Sequence, residues 1–175
     1  MLEILPNIVL CGVLLFCLYT DVMERRIYNK VILAAVIAGL LLSFLADGAT
    51  GLTGAGKGFL LGAALLFIPF AAGGMGAGDL KLLAVIGLYQ GTEFVFTVFL
   101  LAALLGGIFA LALLLRRRML LLTMKSILQS AWLLLGGIKT NLLLSPEGNA
   151  GKVSIPYAPF LVAATFLAYF TRQGG

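Results

Sequence analysis

The stretch FAAGGMGAGDLKLLAVIG, residues 70–87, joins two apolar runs through a glycine-rich segment that ends at a carboxylate. Glycines stand at positions 73, 74, 76 and 78, Asp79 follows them directly, and Lys81 comes shortly after. Glycine permits unusual backbone dihedral angles and the close approach of another chain. The stretch therefore predicts a non-helical turn that leads into an apolar helix, with Asp79 at the junction.

The whole chain is unusually apolar. Of its 175 residues, 62% are hydrophobic and 11% are charged, and the mean hydropathy is +1.13. An ordinary soluble domain has roughly 25% charged residues, and several apolar runs here approach the roughly 20 residues that span a bilayer core. The composition predicts an all-α polytopic membrane protein that forms a single membrane-embedded domain over residues 1–175.

The apolar runs predict about six transmembrane helices in one bundle. Their ranges are 4–20, 31–46, 58–72, 80–90, 94–115 and 156–170. The long stretch 116–155 could hold a seventh span, but Lys125 and Lys139 argue against one. We expect instead an interfacial helix on the cytoplasmic side, anchored by the arginines at 116–118 and by Trp132.

The basic residues indicate the orientation of the bundle. With six spans and the N-terminus outside, ten of the twelve Lys and Arg residues fall in the inner segments 21–30, 73–81 and 116–155. This asymmetry follows the positive-inside rule. It predicts a multi-pass protein of the inner (cytoplasmic) membrane, and it explains the net charge of +5 by topology and by anionic membrane lipid. A nucleic-acid partner is not expected.

The predicted span 80–90 is short. As a helix it rises only about 16 Å, whereas the hydrocarbon core of a bilayer is about 30 Å thick. Unless the helix extends or the bilayer thins, either Glu93 or Asp79 must lie below the membrane surface. We expect Asp79 there, because non-helical backbone is tolerated at that depth where it lines a watery cavity. A carboxylate inside the membrane is costly and by default suggests a function. Taken alone, however, Asp79 could simply cap the helix that starts at Leu80.

The predicted orientation places Asp21 and Asp79 on the same inner side, each at the end of a span. Alone, Asp21 could be an interfacial charge that ends a span. If the two carboxylates meet across a small cavity, they cannot comfortably both ionise, and an acid then lies beside a base. The base can remove a proton from water as the water attacks a peptide carbonyl, while the acid protonates the carbonyl oxygen.

This chemistry is that of an aspartic protease. It needs no metal, no cofactor, and no nucleophilic serine or cysteine. The chain contains no histidine and only two cysteines, so a zinc or haem site would have almost no ligands. We therefore expect neither a metal nor another cofactor.

Two stretches carry a family resemblance. GAGDLKLL, residues 76–83, resembles the GxGD-K-L motif of the type IV prepilin peptidases, which are intramembrane aspartic proteases. DVMERRIYNK, residues 21–30, resembles the family's other signature, an Asp followed four residues later by Arg, then Ile, then Asn. IPYAPFL, residues 155–161, is similar to the proline-containing start of the family's last span.

The resemblance implies Asp21 and Asp79 as the catalytic pair, with Gly76 and Gly78 as the glycines of the motif. It also implies a supporting role for Lys81. That lysine would steady the Asp79 carboxylate or a neighbouring backbone carbonyl, unless it is an ordinary snorkelling lysine of the inner face.

Three further residues match the family pattern. Arg25 matches the motif arginine, although it could equally set the topology. Pro156 and Pro159 would contact the substrate or shape the start of the last span. Tyr28, in contrast, stands where the family commonly has proline, so the start of the second span is expected to differ in shape.

The resemblance also implies a function. The enzyme would be an aspartic endopeptidase that removes the basic leader peptide from type IV pilin-like precursors at the cytoplasmic face. Its partner would be a precursor protein with a basic leader and an apolar helix. The chain lacks the cysteine-bearing N-terminal extension of the longer, bifunctional members, so we expect a peptidase without methyltransferase activity, similar to those of tight-adherence pili.

Other functions stay open at this point. Archaeal preflagellin peptidases share the same two-aspartate plan. A proton-coupled transporter could use the same buried carboxylates to carry protons. A non-catalytic assembly factor of a pilus or secretion machine would tolerate the change of either Asp to Asn.

Overall fold

The computed structural model describes residues 4–24, 26–71, 75–116 and 157–173, and every regular element in these ranges is an α-helix. The helices are α1 (Ile4–Glu24), α2 (Asn29–Ala71), α3 (Ala77–Gln90), α4 (Thr92–Arg116) and α5 (Ala158–Gln173). The predicted all-α class is confirmed. The chain divides into two compact units, Met1–Leu105 with Pro156–Gly175, and Gly106–Ile155. Of the second unit, the structure describes only the last part of α4.

In the part of the chain that the structure describes, three helices are long and apolar enough to cross a membrane. They are Leu5–Glu24, Asn29–Ala71 and Thr92–Ala112, and α5 adds a shorter apolar helix, Ala158–Arg172. Large apolar side chains on these helices are exposed, and Phe170 is the extreme case at 82%. Such a surface suits lipid rather than water. The count of six spans stays a prediction, and the predicted interfacial helix lies outside the described residues.

Helix α2 is broken near its middle. Asp47 has φ −131° and ψ 15°, and Gly48 has φ 59° and ψ −134°, a positive φ that glycine adopts at little cost. Beyond the break the chain bends back towards the first limb. This is shown by Gly51, where an added Cβ atom would lie only 2.2 Å from the carbonyl oxygen of Ser43. A straight helix of 43 residues would be about 65 Å long. The break instead divides α2 into two limbs, residues 29–46 and 49–71.

Helix α3 is the centre of the first unit. Every residue from Leu82 to Leu88 is buried, as expected for a helix that is apolar all round. The first limb of α2 reaches it through Tyr89, whose hydroxyl donates to the carbonyl oxygen of Ala35 at 2.8 Å. The helix begins at Ala77 rather than at the predicted residue 80. Its 14 residues rise about 21 Å, so α3 is still shorter than a bilayer core.

The second limb of α2 packs on α3 through glycines. A Cβ atom on Gly58 would lie 2.0 Å from the carbonyl oxygen of Gly87, and one on Gly62 would lie 2.6 Å from that of Leu83. Small residues at this spacing let helix backbones approach closely in membranes. The close contact fixes the position of α3, and with it the position of Asp79.

A polar contact joins α1, α3 and α5 at one end of the unit. The side-chain oxygen of Asn7 accepts hydrogen bonds from Gln90 at 2.6 Å and from the Tyr169 hydroxyl at 3.1 Å. The Tyr169 ring also packs on Phe94, with a centroid distance of 4.9 Å. This contact joins the start of α1 to the ends of α3 and α5. The end of α1 and the starts of α3 and α5 therefore face the opposite side of the unit.

We predict that Gly62→Ala destabilises the protein. The added methyl group would meet the Leu83 carbonyl oxygen and the Ala84 Cα atom, which are backbone atoms that cannot move aside cheaply. Overpacking of this kind costs about 1–3 kcal/mol, so thermal unfolding in detergent is expected at a lower temperature than in the wild type.

Gly56→Ala is the matched control on the same limb. Nothing lies within 4 Å of a Cβ atom at position 56, and alanine is favoured over glycine in a helix by about 1 kcal/mol. Its melting temperature should equal or exceed that of the wild type. Equal melting temperatures for the Gly62→Ala and Gly56→Ala variants would contradict the close contact between α2 and α3.

Candidate active site

Asp21 lies on the core-facing side of α1. Leu10, Leu14 and Cys17 precede it at helical spacing, and all three are buried. Asp21 itself is only 8% exposed. Its carboxylate accepts a hydrogen bond from the backbone N–H of Ala158, at the start of α5. The Asp21 Oδ2 atom is buried and has no hydrogen-bond partner among the described residues, so it is available to bind a proton or to accept a hydrogen bond.

Asp79 lies in the first turn of α3, which the glycine-rich stretch precedes. Gly76 is the N-cap residue, with extended dihedral angles of φ −77° and ψ 146°. The backbone N–H of Gly76 donates to the Asp79 carboxylate, the bond that an acidic residue at the third helical position makes in a capping box. The alternative that Asp79 is the N-cap residue of a helix starting at Leu80 is wrong, because Gly76 holds that position and Asp79 lies within the first turn.

The structure brings Asp21 and Asp79 together. Each is only 8% exposed, and their carboxylates are close enough to interact electrostatically. Two like charges in a buried site repel each other strongly because little water screens them. The pair is therefore suited to hold one proton, which makes one member an acid and the other a base.

Two contacts join the segments around the aspartates. Lys81 Nζ donates a hydrogen bond to Asn29 Oδ1 at 2.8 Å. A Cβ atom on Gly78 would lie 3.0 Å from the Cβ atom of Ile27, so glycine at position 78 lets the Ile27 side chain pack on the start of α3. Ile27 and Asn29 follow Asp21, whereas Gly78 and Lys81 flank Asp79. The two motifs therefore contact each other directly.

This geometry gives Lys81 a partner in the other motif. Its Nζ atom donates to the side chain of Asn29, so Lys81 joins the start of α2 to α3, and its predicted role in steadying the Asp79 carboxylate stays a prediction. Tyr28, which stands at the start of α2, donates its hydroxyl hydrogen to the Glu24 carboxylate. This bond joins the residue before α2 to the last residue of α1.

Of the four remaining predicted site residues, the structure describes two, Gly76 and Pro159. Gly76 is exposed beside the Asp79 carboxylate, where a Cβ atom would lie 3.3 Å from Oδ2. Pro159 is half-buried in the first turn of α5. Arg25 and Pro156 lie outside the described residues, and their roles stay predictions.

Sequence reasoning missed two residues of the site. Ala158 donates its backbone N–H to Asp21, and Tyr157 lies within electrostatic reach of Asp79. Both stand within IPYAPFL, residues 155–161, whose prolines are the predicted site residues. A backbone donor leaves no signal in a sequence, whereas the tyrosine between those prolines is a signal that the sequence carries.

Comparison with known proteins agrees with the two motifs. Residues 8–111 match the sequence profile of the type IV leader peptidase family. The prepilin leader peptidase/N-methyltransferase of Bacillus subtilis (strain 168) is 29% identical over 171 residues, which cover 96% of this chain and 56% of that protein. The chain thus spans little more than half the length of this curated relative. No solved structure matches the chain. Neither match favours a transporter, an assembly factor or a preflagellin peptidase.

The contact between Lys81 and Asn29 predicts energetic coupling between the two motifs. Lys81→Met removes the donor but keeps an unbranched apolar side chain, and Asn29→Ala removes the acceptor. In a double-mutant cycle, we expect a coupling free energy of about 0.5–1.5 kcal/mol, because each single change already breaks the same hydrogen bond. Reversible unfolding in detergent would measure it.

The control cycle pairs Asn29→Ala with Lys57→Met. Lys57 is an exposed lysine on the second limb of α2, and its replacement should add to that of Asn29 without coupling. Additive free energies in the Lys81 cycle as well would mean that the bond contributes nothing to holding the motifs together.

Proposed function

Because the chain belongs to the type IV leader peptidase family, we propose that it is an intramembrane aspartic endopeptidase that removes the basic leader from pilin-like precursors. The observation that carries the proposal is the burial of Asp21 beside Asp79. These carboxylates come from helices distant in sequence. Two like charges are costly to bury together among apolar helices, and carboxylates in such a place by default indicate a function.

The proposed reaction is the hydrolysis of a peptide bond by water, with one aspartate of the pair as the base and the other, which carries the shared proton, as the acid. The ionised carboxylate takes a proton from water as the water oxygen bonds to the carbonyl carbon, and the protonated carboxyl gives its proton to the carbonyl oxygen. The carbonyl carbon then carries two hydroxyl groups beside the nitrogen. The carboxyl that took the water proton gives it to the nitrogen, the other carboxylate takes a proton from one of the hydroxyl groups, and the carbon–nitrogen bond breaks. A carboxylic acid and an amine are released, and the pair again holds one proton.

The backbone contacts of the two aspartates support this assignment. The N–H groups of Gly76 and Ala158 hold one carboxylate each, so both side chains keep fixed directions. Asp21 Oδ2, free of hydrogen bonds within the described residues, can take part in the proton transfer. Fixed groups of this kind lower the barrier because little reorganisation is needed during the reaction.

We also propose that the helices form six spans with the active site at the cytoplasmic face of the inner membrane. The spans would be α1, the two limbs of α2, α3, α4 and α5. The contact at Asn7 supports an alternating arrangement, since it joins one end of α1 to the opposite ends of α3 and α5. The distribution of the twelve basic residues supports the orientation.

The substrate follows from this placement. A precursor with an apolar helix would lie in the membrane beside the bundle, and its basic leader would project into the cytoplasm. The bond to be cleaved would then lie at the inner boundary of the bilayer, at the depth of Asp21 and Asp79. The proposed activity is cleavage alone.

Replacement of either aspartate should abolish cleavage. Wild type, Asp21→Asn and Asp79→Asn are compared in membranes at equal expression with a pilin precursor, and precursor and mature forms are separated on a gel. Because acid and base act as one unit, each single change is expected to lower the rate by about a thousandfold or more.

Asp47→Asn is the matched control for this assay. Asp47 is exposed at the break in α2, far along the chain from both motifs, and its replacement should leave the cleavage rate unchanged. Cleavage that persists in the Asp21→Asn or Asp79→Asn variant would remove that aspartate from the mechanism. Failure of the wild type to cleave any pilin-like precursor would argue for a non-catalytic role.

A further inference from the structure

The start of α5 reaches both aspartates through adjacent residues. Ala158 donates its backbone N–H to the Asp21 carboxylate. Tyr157, the residue before it, lies within electrostatic reach of the Asp79 carboxylate. The segment therefore forms a third wall of the site, beside the walls that α1 and α3 provide.

The side chain of Tyr157 is held in place. Its carbonyl oxygen accepts hydrogen bonds from the backbone N–H groups of Phe160 and Leu161, at 3.0 and 3.2 Å, so the residue is tied to the first turn of α5. Its ring packs at a tilt against that of Phe160, with a centroid distance of 5.9 Å. The side chain is half-buried. The backbone hydrogen bonds of Tyr157 and the contact of its ring with Phe160 therefore both restrict where its hydroxyl group can lie.

The Tyr157 hydroxyl differs from those of the other half-buried tyrosines. The Tyr89 hydroxyl donates to the Ala35 carbonyl oxygen, and the Tyr169 hydroxyl donates to Asn7. The Tyr157 hydroxyl makes no hydrogen bond to any residue within 4–24, 26–71, 75–116 or 157–173. Buried tyrosine hydroxyls usually find a partner, so the geometry leaves this donor available to a bound molecule.

Among the described residues, the donors named for the two motifs and for Thr20 are already engaged. The Thr20 hydroxyl, next to Asp21, donates to the Cys17 carbonyl oxygen at 3.1 Å. Lys81 donates to Asn29. The backbone N–H groups of Gly76 and Ala158 serve the two carboxylates. Among these groups, the Tyr157 hydroxyl is the one that can still donate to a substrate.

We propose that Tyr157 is a third catalytic residue, whose hydroxyl donates a hydrogen bond to the carbonyl oxygen of the peptide bond that is cleaved. This inference rests on the proposed peptidase function. Negative charge develops on that oxygen as water bonds to the carbonyl carbon, and a fixed donor stabilises it most where water is excluded. Tyr157 keeps its own proton throughout, because the proton that the oxygen receives comes from the protonated member of the aspartate pair.

The test is Tyr157→Phe, which removes the hydroxyl and keeps the ring that packs on Phe160. Rates are measured on a precursor that the wild type cleaves and that Asp79→Asn does not cleave, so the peptidase function is established before Tyr157 is assessed. Loss of one such donor is expected to lower kcat by about 10²–10³-fold. KM should change little, because the bond strengthens only as charge develops on the oxygen.

Tyr169→Phe, on the helix that Tyr157 directly precedes, is the matched control. It removes a hydroxyl from the Asn7 contact at the other end of the unit, and kcat per folded molecule should stay at the wild-type value. Thermal unfolding of each variant gives the folded fraction. The inference is overturned if Tyr157→Phe keeps kcat within about twofold of the wild type, if it changes KM alone, or if it loses the folded state, since the hydroxyl would then have a structural role.

Discussion

Two carboxylates buried side by side among apolar helices impose the main constraint on this protein. Each would be far better solvated in water, and each repels the other when both are charged. The structure meets this constraint with backbone N–H groups, one from Gly76 and one from Ala158. Both groups stand at helix starts, where N–H groups lack partners within the helix and the helix dipole favours negative charge.

The constraint explains why glycines are concentrated around α3. The first turn of α3 must bring Asp79 beside Asp21, which requires the helix to lie close to its neighbours. Gly62 lets the second limb of α2 approach the α3 backbone, and Gly78 leaves room for Ile27. The contact at Asn7 holds the opposite ends of α1, α3 and α5. The position of the carboxylates thus depends on packing along the whole length of α3.

The sequence predicted the parts of this site that have a local signal. The glycines before Asp79 indicated a non-helical turn, and hydropathy separated the runs 31–46 and 58–72, whose described residues lie on the two limbs of α2. The start of α3 was placed too late, at Leu80 instead of Ala77, because Ala77 and Gly78 are weak markers of a helix start. Hydropathy also gave no sign that α2 continues as helix on both sides of a break confined to Asp47 and Gly48.

Apart from the pairing of Asp21 with Asp79 that the family resemblance implied, contacts between distant segments were beyond prediction from the sequence. The bond between Lys81 and Asn29 joins side chains from two helices, and nothing near either residue identifies its partner. The same holds for the Ala158 N–H group, whose role depends only on where α5 begins relative to α1. Such contacts arise from the packing of the bundle, and they determine which polar groups near the aspartates remain free.

The segments around Asp21 and Asp79 touch in this structure, and a disulfide between them is the sharpest test of that contact. Ile27→Cys and Gly78→Cys would be combined with replacements of Cys11 and Cys17, and a protease site placed near Asp47 would separate the two segments. A Cβ atom at position 78 lies 3.0 Å from that of Ile27, near the spacing of about 3.5–4.5 Å found in disulfides. After mild oxidation and cleavage, the two fragments should stay joined until reductant is added, whereas Ile27→Cys paired with Gly56→Cys should yield separate fragments. Separate fragments from the 27–78 pair would contradict the contact between the segments around Asp21 and Asp79.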